Sequence, residues 1–574
     1  MRRTAPALAC LILTAAVARA DLRATVVGAD QRPVKRATVQ LQPQIEVRLE
    51  EVATRGRLQD PGISPFVTWS DDDGGFDIPS TVVPRDFAAS LVPKHWILSG
   101  AHMDARTTPR MVDHSDLTTG RIDLGSLPVI RQQWCLTNGR ICEKDKYLMA
   151  LPQHAQPAAG GEAPDMASQW AFKKLGLPVA PGGPLAPVVV AVIDSGLDYA
   201  HPHLRPENVW RNPSPGSDPR YPDDRIGWNF VARSNNPWDD YGHGTFVAGL
   251  IVAVNPAARI MPLKVLDNFG GSHVSTMADA VVYAVRRGAR VINLSLGSKG
   301  LTALERDAVR YARATGAVVV IAAGNDGVDT AGFGPVGAPG ALGVTATDQN
   351  DTKPPFGNWG QEVALAAPGV DIVSLRARWT DFALVGGDGR RYTAGANFVG
   401  KDRWFYRASG TSFSAPFVAG AASLLLSRDP NLTAAQVERM LLEAADDVGT
   451  PGWDQFTGNG RINIARALKA DPNYSLTARV SDVTPAEEGG RTVVKVFGTA
   501  AGNRLERYEL QLGQGASPSR WKTVATEKGK SVEQGLLGVI GIREVTARGT
   551  WTVRVVARDS AGKTREARGA LTVE

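Results

Sequence analysis

Continuous apolar runs alternate with helical segments over the middle of the chain. The apolar runs are VVVAVID, RVINLSLG, AVVVIAAGN and LGVTAT, which are rich in β-branched residues. Segments with helical periodicity stand between them, among them HGTFVAGLIVAV, VSTMADAVVYAVRRG and LERDAVRYARATG. Strands that are apolar on both faces and alternate with helices predict a parallel sheet that helices cover on both sides. We therefore predict an α/β fold, a doubly wound and mostly parallel sheet, over residues 188–470.

Short alternating strands predict an all-β unit on each side of this sheet. Residues 21–130 contain ATVVGADQRPVKRATVQLQP and TWSDDDGGFDIP, and the Asp cluster at 71–74 predicts a turn between two strands rather than a calcium loop. This unit resembles the transthyretin-like or carboxypeptidase-regulatory-like β-sandwiches of secreted proteins. Residues 472–574 predict a β-sandwich of immunoglobulin or fibronectin-III type. Residues 131–187 are rich in Pro, Ala and Gly, and we predict a linker with one short helix near 166–175.

The first twenty residues have the pattern of an export signal. Arg2 and Arg3 precede an apolar run over residues 5–18, and the sequence ARA at 18–20 fits a small-x-small cleavage site. The run is too short to cross a membrane. We therefore expect a secreted or periplasmic protein without stable membrane insertion.

Composition narrows the class of protein further. A chain of 574 residues is too long for one hydrophobic core, so we expect roughly two to four domains. The net charge is only +6, and no Lys/Arg cluster is interleaved with aromatic residues. The sequence therefore argues against nucleic acid as a partner.

Cysteine usage agrees with export. Of the three cysteines, Cys10 lies in the predicted signal, which leaves Cys135 and Cys142 in WCLTNGRIC. In an oxidising compartment these two are predicted to form a disulfide that closes a small loop, and two free thiols are the alternative. A metal site is not indicated, because the pair lacks further ligands nearby.

Three short strings carry the candidate chemistry: VIDSG around Asp194, GHGTF around His243 and GTSFSAP around Ser412. All three residues fall at predicted strand ends or helix starts, where ligands bind in such sheets. A serine hydroxyl is a poor nucleophile, so we predict that His243 takes its proton and that Asp194 orients the imidazole. Asn325 ends another apolar run and could stabilise an oxyanion together with the N–H of Ser412. Each residue alone is as readily a turn or cap residue, and it is the combination that indicates catalysis.

The strings AVIDSGLDYAHPHL, DDYGHGTFVAG, VINLSLG, AAGND and SGTSFSAPFVAG resemble the subtilisin-like serine proteases, the subtilase family, over about half of the chain. The order Asp, His, Ser along the chain is the order of this family. The resemblance implies an endopeptidase that acts on protein or peptide substrates and requires no cofactor for its chemistry. It also implies that Ser295, Leu296 and Gly297 line one edge of the substrate cleft and that Gly270 and Gly271 begin the other. A substrate would then pair as an added β-strand.

The resemblance also makes structural calcium possible, although the sequence does not identify the metal ligands. The candidates are Asp223, Asp224, Asp239 and Asp240. We interpret His201 and His203, which are close to Asp194 in the sequence, as structural.

Several departures from the family pattern lead to separate expectations. Phe246 stands where many relatives have a second histidine, which predicts altered packing rather than lost activity. Asp326 follows the candidate oxyanion residue, which predicts a preference for basic or polar substrate side chains. Residues 376–406 predict a surface loop near the cleft. Residues 21–130 do not resemble the usual inhibitory propeptide, so the sequence leaves activation open.

Other functions stay open at this stage. The central fold could be a catalytically degenerate scaffold in an extracellular binding or adhesin module. The C-terminal sandwich could be a stabilising spacer or could bind a surface or partner, because sandwich folds have many functions. An esterase or peptide ligase could use the same triad.

Overall fold

The computed structural model describes most of the chain after residue 21. The described residues are 22–27, 31–43, 66–69, 73, 75–78, 95–102, 105–107, 110–113, 122–131, 147–150, 166, 169–178, 183–386 and 392–573. The predicted export signal and the predicted Cys135–Cys142 disulfide lie outside these residues. The chain divides into one unit formed by Met1–Glu46 and Pro65–Gln132 and a second formed by Val47–Ser64 and Gln133–Glu574.

The described part of the first unit consists mainly of short strands. They are β1 (Leu22–Val27), β2 (Thr38–Pro43), β3 (Phe66–Trp69), β4 (Gly75–Ile78), β5 (His95–His102), β6 (Ala105–Thr107), β7 (Arg110–Asp113) and β8 (Ile122–Arg131). The strands pair in the order β3-β2-β5-β6-β8-β1-β4, and β7 pairs with β5. Val26, Val39 and Leu98 are buried in its core. This arrangement agrees with the predicted all-β character of the region.

The first described residues of the second unit lie inside the region that we predicted as a linker. Its first elements are strand β9 (Tyr147–Ala150) and helix α1 (Trp170–Lys174). The helix lies within the predicted range. The strand was not predicted, and its pairing bears directly on the candidate site.

Ten further strands follow in the central region. They are β10 (Val188–Asp194), β11 (Trp228–Asn229), β12 (Ala258–Lys264), β13 (Gly271–His273), β14 (Val291–Leu294), β15 (Leu296–Lys299), β16 (Val318–Ala322), β17 (Phe333–Gly334), β18 (Leu342–Thr347) and β19 (Val363–Pro368). Seven of them form one parallel sheet in the order β11-β12-β10-β14-β16-β18-β19. The predicted fold class is thereby confirmed.

Helices pack against this sheet. The helices of this region are α2 (His243–Val254), α3 (Val274–Arg286), α4 (Ala303–Ala314), α5 (Phe382–Gly386), α6 (Thr411–Arg428), α7 (Ala434–Ala444) and α8 (Ile464–Ala467). Of these, α2, α3, α4, α6 and α7 contact strands of the sheet. Short 3-10 turns lie at Pro206–Asn208 and, in the C-terminal region, at Ile542–Glu544. Helix α6 is buried along nearly its whole length, which explains why its sequence is apolar on all sides. Among the residues that the structure describes, no helix is both long and apolar enough to cross a membrane.

The strand order reverses next to β10, and this reversal places the candidate site. The chain passes from β10 outward to β12 and then crosses back to β14 on the other side of β10. Beyond the carboxyl ends of two strands that diverge in this way, a crevice forms between their connections. Asp194 ends β10 and Ser295 follows β14, so both lie at that crevice.

Much of the described part of the segment 376–406, which comprises residues 376–386 and 392–406, is buried in the fold. The segment follows β20 (Ile372–Leu375), contains β21 (Phe398–Val399) and runs into β22 (Phe405–Ala408), and the three strands form a sheet in the order β20-β22-β21. Trp404, Phe405 and Tyr406 are all buried. The prediction of a surface loop was wrong for residues 376–385 and 404–406, which are buried.

The chain ends in two antiparallel sheets. They consist of β23 (Leu476–Glu488), β24 (Arg491–Gly502), β25 (Leu505–Gln514), β26 (Lys522–Lys528), β27 (Val532–Gly541), β28 (Gly549–Asp559) and β29 (Thr564–Val573). The sheet orders are β23-β24-β27 and β26-β25-β28-β29. Trp453, from the loop after α7, joins the apolar core between these sheets, and its N–H donates to the carbonyl of Glu566. The C-terminal sheets are therefore packed onto the central region through a shared core residue.

Candidate active site

Asp194 and His243 form a hydrogen-bonded pair at the crevice. The imidazole Nδ1 lies 2.8 Å from Oδ1 and 3.0 Å from Oδ2 of Asp194, and both side chains are completely buried. The backbone N–H of Ser195 also donates to Oδ1 at 2.7 Å. Because an ionised carboxylate only accepts hydrogen bonds, this geometry assigns the proton to Nδ1 and directs Nε2 away from Asp194.

The buried carboxylate of Asp239 joins the two segments that carry this pair. Its Oδ1 accepts from Ser195 Oγ at 2.8 Å and from the N–H of Gly242 at 2.7 Å. Its Oδ2 accepts from the N–H and Oγ1 of Thr245, at 2.8 and 2.7 Å. Ser195 Oγ in turn accepts from the N–H of Gly244 at 2.8 Å. One side chain thus ties the turn after Asp194 to the first turn of α2, a role that our sequence analysis missed.

Ser412 is the second residue of α6 and is held against the residue that precedes β15. Ser412 Oγ donates to the carbonyl of Ser295 at 3.3 Å, and Ser295 Oγ donates to the carbonyl of Ser412 at 2.9 Å. The next residue, Phe413, lies beside the imidazole of His243, with ring centroids 5.6 Å apart. The structure therefore brings the start of α6 next to the Asp194–His243 pair.

The carboxamide of Asn325 is fixed at the same helix start. Its Oδ1 accepts from the N–H of Thr411 at 2.8 Å and from Thr411 Oγ1 at 2.9 Å. Thr411 Oγ1 also accepts from the N–H of Gly324 at 3.1 Å. These bonds orient the amide, so that Nδ2 is its other, donating end. The Thr411 contact was not predicted, although its place directly before Ser412 is a signal that could have indicated it.

The predicted cleft edges lie on either side of strand β9. Antiparallel pairing runs in the order β13-β9-β15-β17. On one side Met149 is opposite Gly271, and on the other side Met149 is opposite Gly297 and Ala150 is opposite Leu296. The N–H of Ala150 donates to the carbonyl of Gly270 at 2.7 Å. An extended segment of the chain itself therefore occupies the space between the two edges.

Gly270 must be a glycine at this edge. It has a φ of +75°, and a Cβ there would lie 2.7 Å from the ring of Tyr241. Both the positive φ and the close ring exclude a side chain. The missing side chain at Gly270 thus lets the ring of Tyr241 pack against the backbone of this cleft edge.

An aromatic cluster encloses His243. The rings of Phe382 and Phe413 pack against the imidazole, and Phe246 packs on Phe413 with centroids 4.3 Å apart. Phe246 is buried in this cluster, and the predicted difference in packing from relatives with a histidine there stays a prediction. Asp326, in contrast, is exposed on the turn after Asn325, and its predicted effect on specificity stays a prediction.

Buried ionisable groups anchor the segment 376–406 close to Asp194. Arg378 donates to both carboxylate oxygens of Asp198, at 2.9 and 2.7 Å, and both side chains are buried. Burial alone would raise the pKa of Asp198, but the charge and hydrogen bonds of Arg378 outweigh it and the pKa is lowered. Burial lowers the pKa of the neighbouring His201 to about 4. Its Nε2 lies 3.2 Å from the carbonyl of Trp404, which agrees with a structural histidine.

The four aspartates considered for calcium are engaged by protein donors. Asp239 is saturated as described above, and Asp224 accepts from Tyr283 Oη and pairs with Arg287. Asp240 forms an ion pair with Lys264 at 2.6 Å, and Asp223 forms one with Arg225 at 2.8 Å. Protons and cationic groups that point at these oxygens would repel a metal ion, so the four residues do not fit a calcium site. Across the described ranges no group of three or more His, Cys, Asp or Glu residues could hold a metal.

A protein-family model and several known proteins are similar to this chain. The sequence model of the subtilase family matches residues 186–460. The chain is 35% identical over 289 residues to a thermophilic serine proteinase of Bacillus sp. (strain AK1), covering 49% of this chain and 61% of that protein. It is 32% identical over 290 residues to thermitase of Thermoactinomyces vulgaris, covering 49% of this chain and 88% of that protein. A solved lanthipeptide protease is similar with 28% identity and a TM-score of 0.41, covering 49% of this chain and 87% of the other. The chain thus spans about three fifths of the thermophilic serine proteinase and most of thermitase.

Proposed function

Since the chain belongs to the subtilase family, we propose that it is an exported serine endopeptidase that hydrolyses peptide bonds through Asp194, His243 and Ser412. Export is inferred from the pattern of the first twenty residues. Proteins or peptides in extended conformation are the proposed substrates. No cofactor takes part in the proposed chemistry.

The pairing of β9 is the observation that carries this proposal. A peptide that binds by strand addition needs two edges at the spacing of a β-sheet and a reactive group beside them. Strand β9 is paired with β13 on one side and with β15 on the other. Ser295, directly before β15, is hydrogen-bonded to Ser412. A substrate in the place of β9 would therefore run past the proposed nucleophile.

The side chains support the steps of acyl transfer. Ser412 Oγ would attack the substrate carbonyl while its proton passes to Nε2 of His243, and the bond between Nδ1 and Asp194 would stabilise the resulting imidazolium. The oxyanion would accept from Asn325 Nδ2 and from the N–H of Ser412 at the helix start. His243 would then return the proton to the departing amine, and water would release the acyl group by the same steps.

Active-site labelling tests the proposal directly. The unsubstituted protein should react with a fluorophosphonate probe and hydrolyse a chromogenic peptide amide, and Ser412→Ala should abolish both. Ser414→Ala is the matched control, because Ser414 lies in the same helix and its Oγ donates to the carbonyls of Ala367 and Pro368 instead. The control should keep both reactions. Labelling or hydrolysis that survives Ser412→Ala would remove Ser412 as nucleophile, and an unlabelled wild-type protein would favour a degenerate scaffold.

Export has a separate test. The proposal expects the protein outside the cytoplasm with its N-terminus at or beyond residue 21, as measured by mass spectrometry of the cell fractions. Recovery of the protein in the cytoplasm with the first twenty residues intact would contradict export and would leave the proteolytic proposal untouched.

A further inference from the structure

The turn that carries Asn325 has backbone groups that its own strand cannot satisfy. Strand β16 ends at Ala322, and the chain then turns through residues 323–328. The ladder of the parallel sheet stops at this point, so the N–H and C=O groups of the turn need other partners. Asn325 lies in the middle of this turn, and its position depends on how the two flanks of the turn are held.

The buried side chain of Asn358 holds both flanks. On the strand side, its Nδ2 donates to the carbonyl of Ala323 at 3.0 Å. On the far side, its Oδ1 accepts from the N–H of Asp326 at 3.0 Å and from the N–H of Val328 at 3.1 Å. One carboxamide thus satisfies three backbone groups that lie before and after Asn325.

Asn358 is itself fixed in place. Its backbone N–H donates to the carbonyl of Gly324 at 2.9 Å, and its carbonyl accepts from Thr345 Oγ1 at 2.8 Å. Gly324 has a φ of +110°, and a Cβ there would lie 2.2 Å from Asn358 Nδ2. The glycine therefore provides the space that the Asn358 amide occupies.

We propose that Asn358 is a positioning residue. By holding the turn, it places the side-chain amide of Asn325 where Nδ2 can donate a hydrogen bond to the oxyanion. This inference rests on the proposed function, because it assumes that Asn325 stabilises a developing charge. The side chain of Asn358 forms its hydrogen bonds with the backbone of the turn and not with the substrate, so it acts through Asn325. Donors in an oxyanion hole work because they are held in place before the charge develops, and a misplacement of about 1 Å can cost on the order of 100-fold in rate.

A purely structural role predicts different kinetics from a positioning role. If Asn358 only stabilised the fold, its loss would lower the melting temperature without affecting kcat per active molecule. If it positions Asn325, its loss lowers kcat, leaves KM nearly unchanged, and has no further effect once the Asn325 amide is removed.

The experiment is a double-mutant cycle on the full-length protein. Asn358→Ala, Asn325→Ala and the double variant are compared with the wild type by kcat and KM on a chromogenic peptide, with active molecules counted by fluorophosphonate labelling and melting temperatures recorded. Asn208→Ala is the matched control, because Asn208 is also buried and its Nδ2 donates to the carbonyls of Pro256 and Ala258. Asn358→Ser serves as a second variant if Asn358→Ala does not fold.

We expect Asn358→Ala to lower kcat by about 10- to 100-fold with KM within about twofold of the wild type. In the Asn325→Ala background, the same substitution should change kcat by less than about threefold. Asn208→Ala should keep the wild-type kcat. Equal losses in both backgrounds, or a change confined to KM or melting temperature, would overturn the positioning role. A wild type that neither labels nor hydrolyses peptides would instead refute the proposed function.

Discussion

The ring of Phe382 lies edge-on to the imidazole of His243, with centroids 5.8 Å apart and an interplanar angle of 79°. Phe382 belongs to the segment 376–406, whose neighbouring residue Thr380 packs against Gly242 at the start of α2. A Cβ at Gly242 would lie 2.3 Å from Thr380 Oγ1. Phe382 and Thr380 thus pack against the histidine and against the residue that precedes it.

Loss of the Phe382 ring should reduce turnover. Phe382→Ala removes a packing surface of His243, so we expect kcat to fall about tenfold as the imidazole samples other orientations. The free energy of unfolding should also fall by about 3 kcal/mol, because a buried ring leaves a cavity. Steady-state kinetics, with the active molecules counted by fluorophosphonate labelling of a separate sample, measures the first effect, and denaturant unfolding measures the second.

Phe382→Leu and Tyr311→Ala complete this test. The leucine should retain part of the packing and give an intermediate kcat. Tyr311 is exposed on α4, and its substitution should leave kcat unchanged. If Phe382→Ala had the wild-type kcat at a temperature where the variant is folded, the proposed effect of Phe382 on the orientation of His243 would be refuted.

Strand β9 should compete with substrate. It occupies both cleft edges through main-chain pairing, and the side chain of Ala150 is buried there, with 6% of its surface exposed. Ala150→Glu would bury a carboxylate, so the strand should leave the cleft more readily. We expect the initial rate of peptide hydrolysis to rise severalfold and fluorophosphonate labelling to become faster.

Met149→Glu provides the matched control for this prediction. Met149 lies next to Ala150 in the same strand, but 38% of its surface is exposed. A glutamate there can stay hydrated, so the initial rate should remain close to that of the wild type. Identical rates for Ala150→Glu and the wild type would show that β9 does not limit access.

Acid should destabilise the protein through His201. The pKa of His201 is about 4 in the folded state, because burial disfavours the charged ring, and it is about 6.5 when unfolded. The unfolded state therefore binds the proton first. The stabilising contribution is complete above pH 6.5 and is lost as the pH falls toward 4, by about 3 kcal/mol in total.

Denaturant unfolding between pH 7 and pH 4 measures this contribution. His201→Gln should show a shallower loss of unfolding free energy over this range than the wild type. His203→Gln removes an exposed histidine whose charge contributes less to the lowered pKa of His201 than burial does, so it should change the slope much less than His201→Gln. Equal slopes for all three proteins would remove His201 as the titrating group.

Trp453 should stabilise the C-terminal sandwich. It packs into the core between the two terminal sheets, and the guanidinium of Arg479 lies 4.2 Å from its ring centroid. Trp453→Ala should lower the free energy of unfolding by about 3 to 5 kcal/mol. Phe456→Ala, in the same loop but with 42% of the side chain exposed, should cost less than about 1 kcal/mol.

Calorimetry can measure the loss of stability in each variant and show whether the C-terminal sandwich unfolds separately from the rest of the protein. A second, lower-temperature transition in Trp453→Ala would show that the sandwich unfolds separately once the shared residue is lost. A melting profile equal to that of the wild type would contradict the shared core. Such a result would revive the interpretation of the sandwich as an independent spacer or binding unit.

The sequence alone determined the central sheet and the residues of the candidate site. The β-branched runs are apolar on both faces, which only a covered parallel sheet accommodates. Asp194, His243, Asn325 and Ser412 each stand at the end of a strand or the start of a helix, so local pattern alone indicated a common crevice. These features depend on short stretches of chain, and for that reason they could be found without coordinates.

The surroundings of those residues follow from contacts between distant parts of the chain. Strand β9 is four residues long, and nothing in a Pro-, Ala- and Gly-rich region shows that a short apolar run finds two partners more than 100 residues away. Asn358 and Phe382 likewise act on residues that are distant in sequence. Asp239, which the sequence suggested for calcium, is saturated by donors from two separate turns. Hydrogen bonds and packing between distant segments depend on distances and directions that the linear order of residues does not contain.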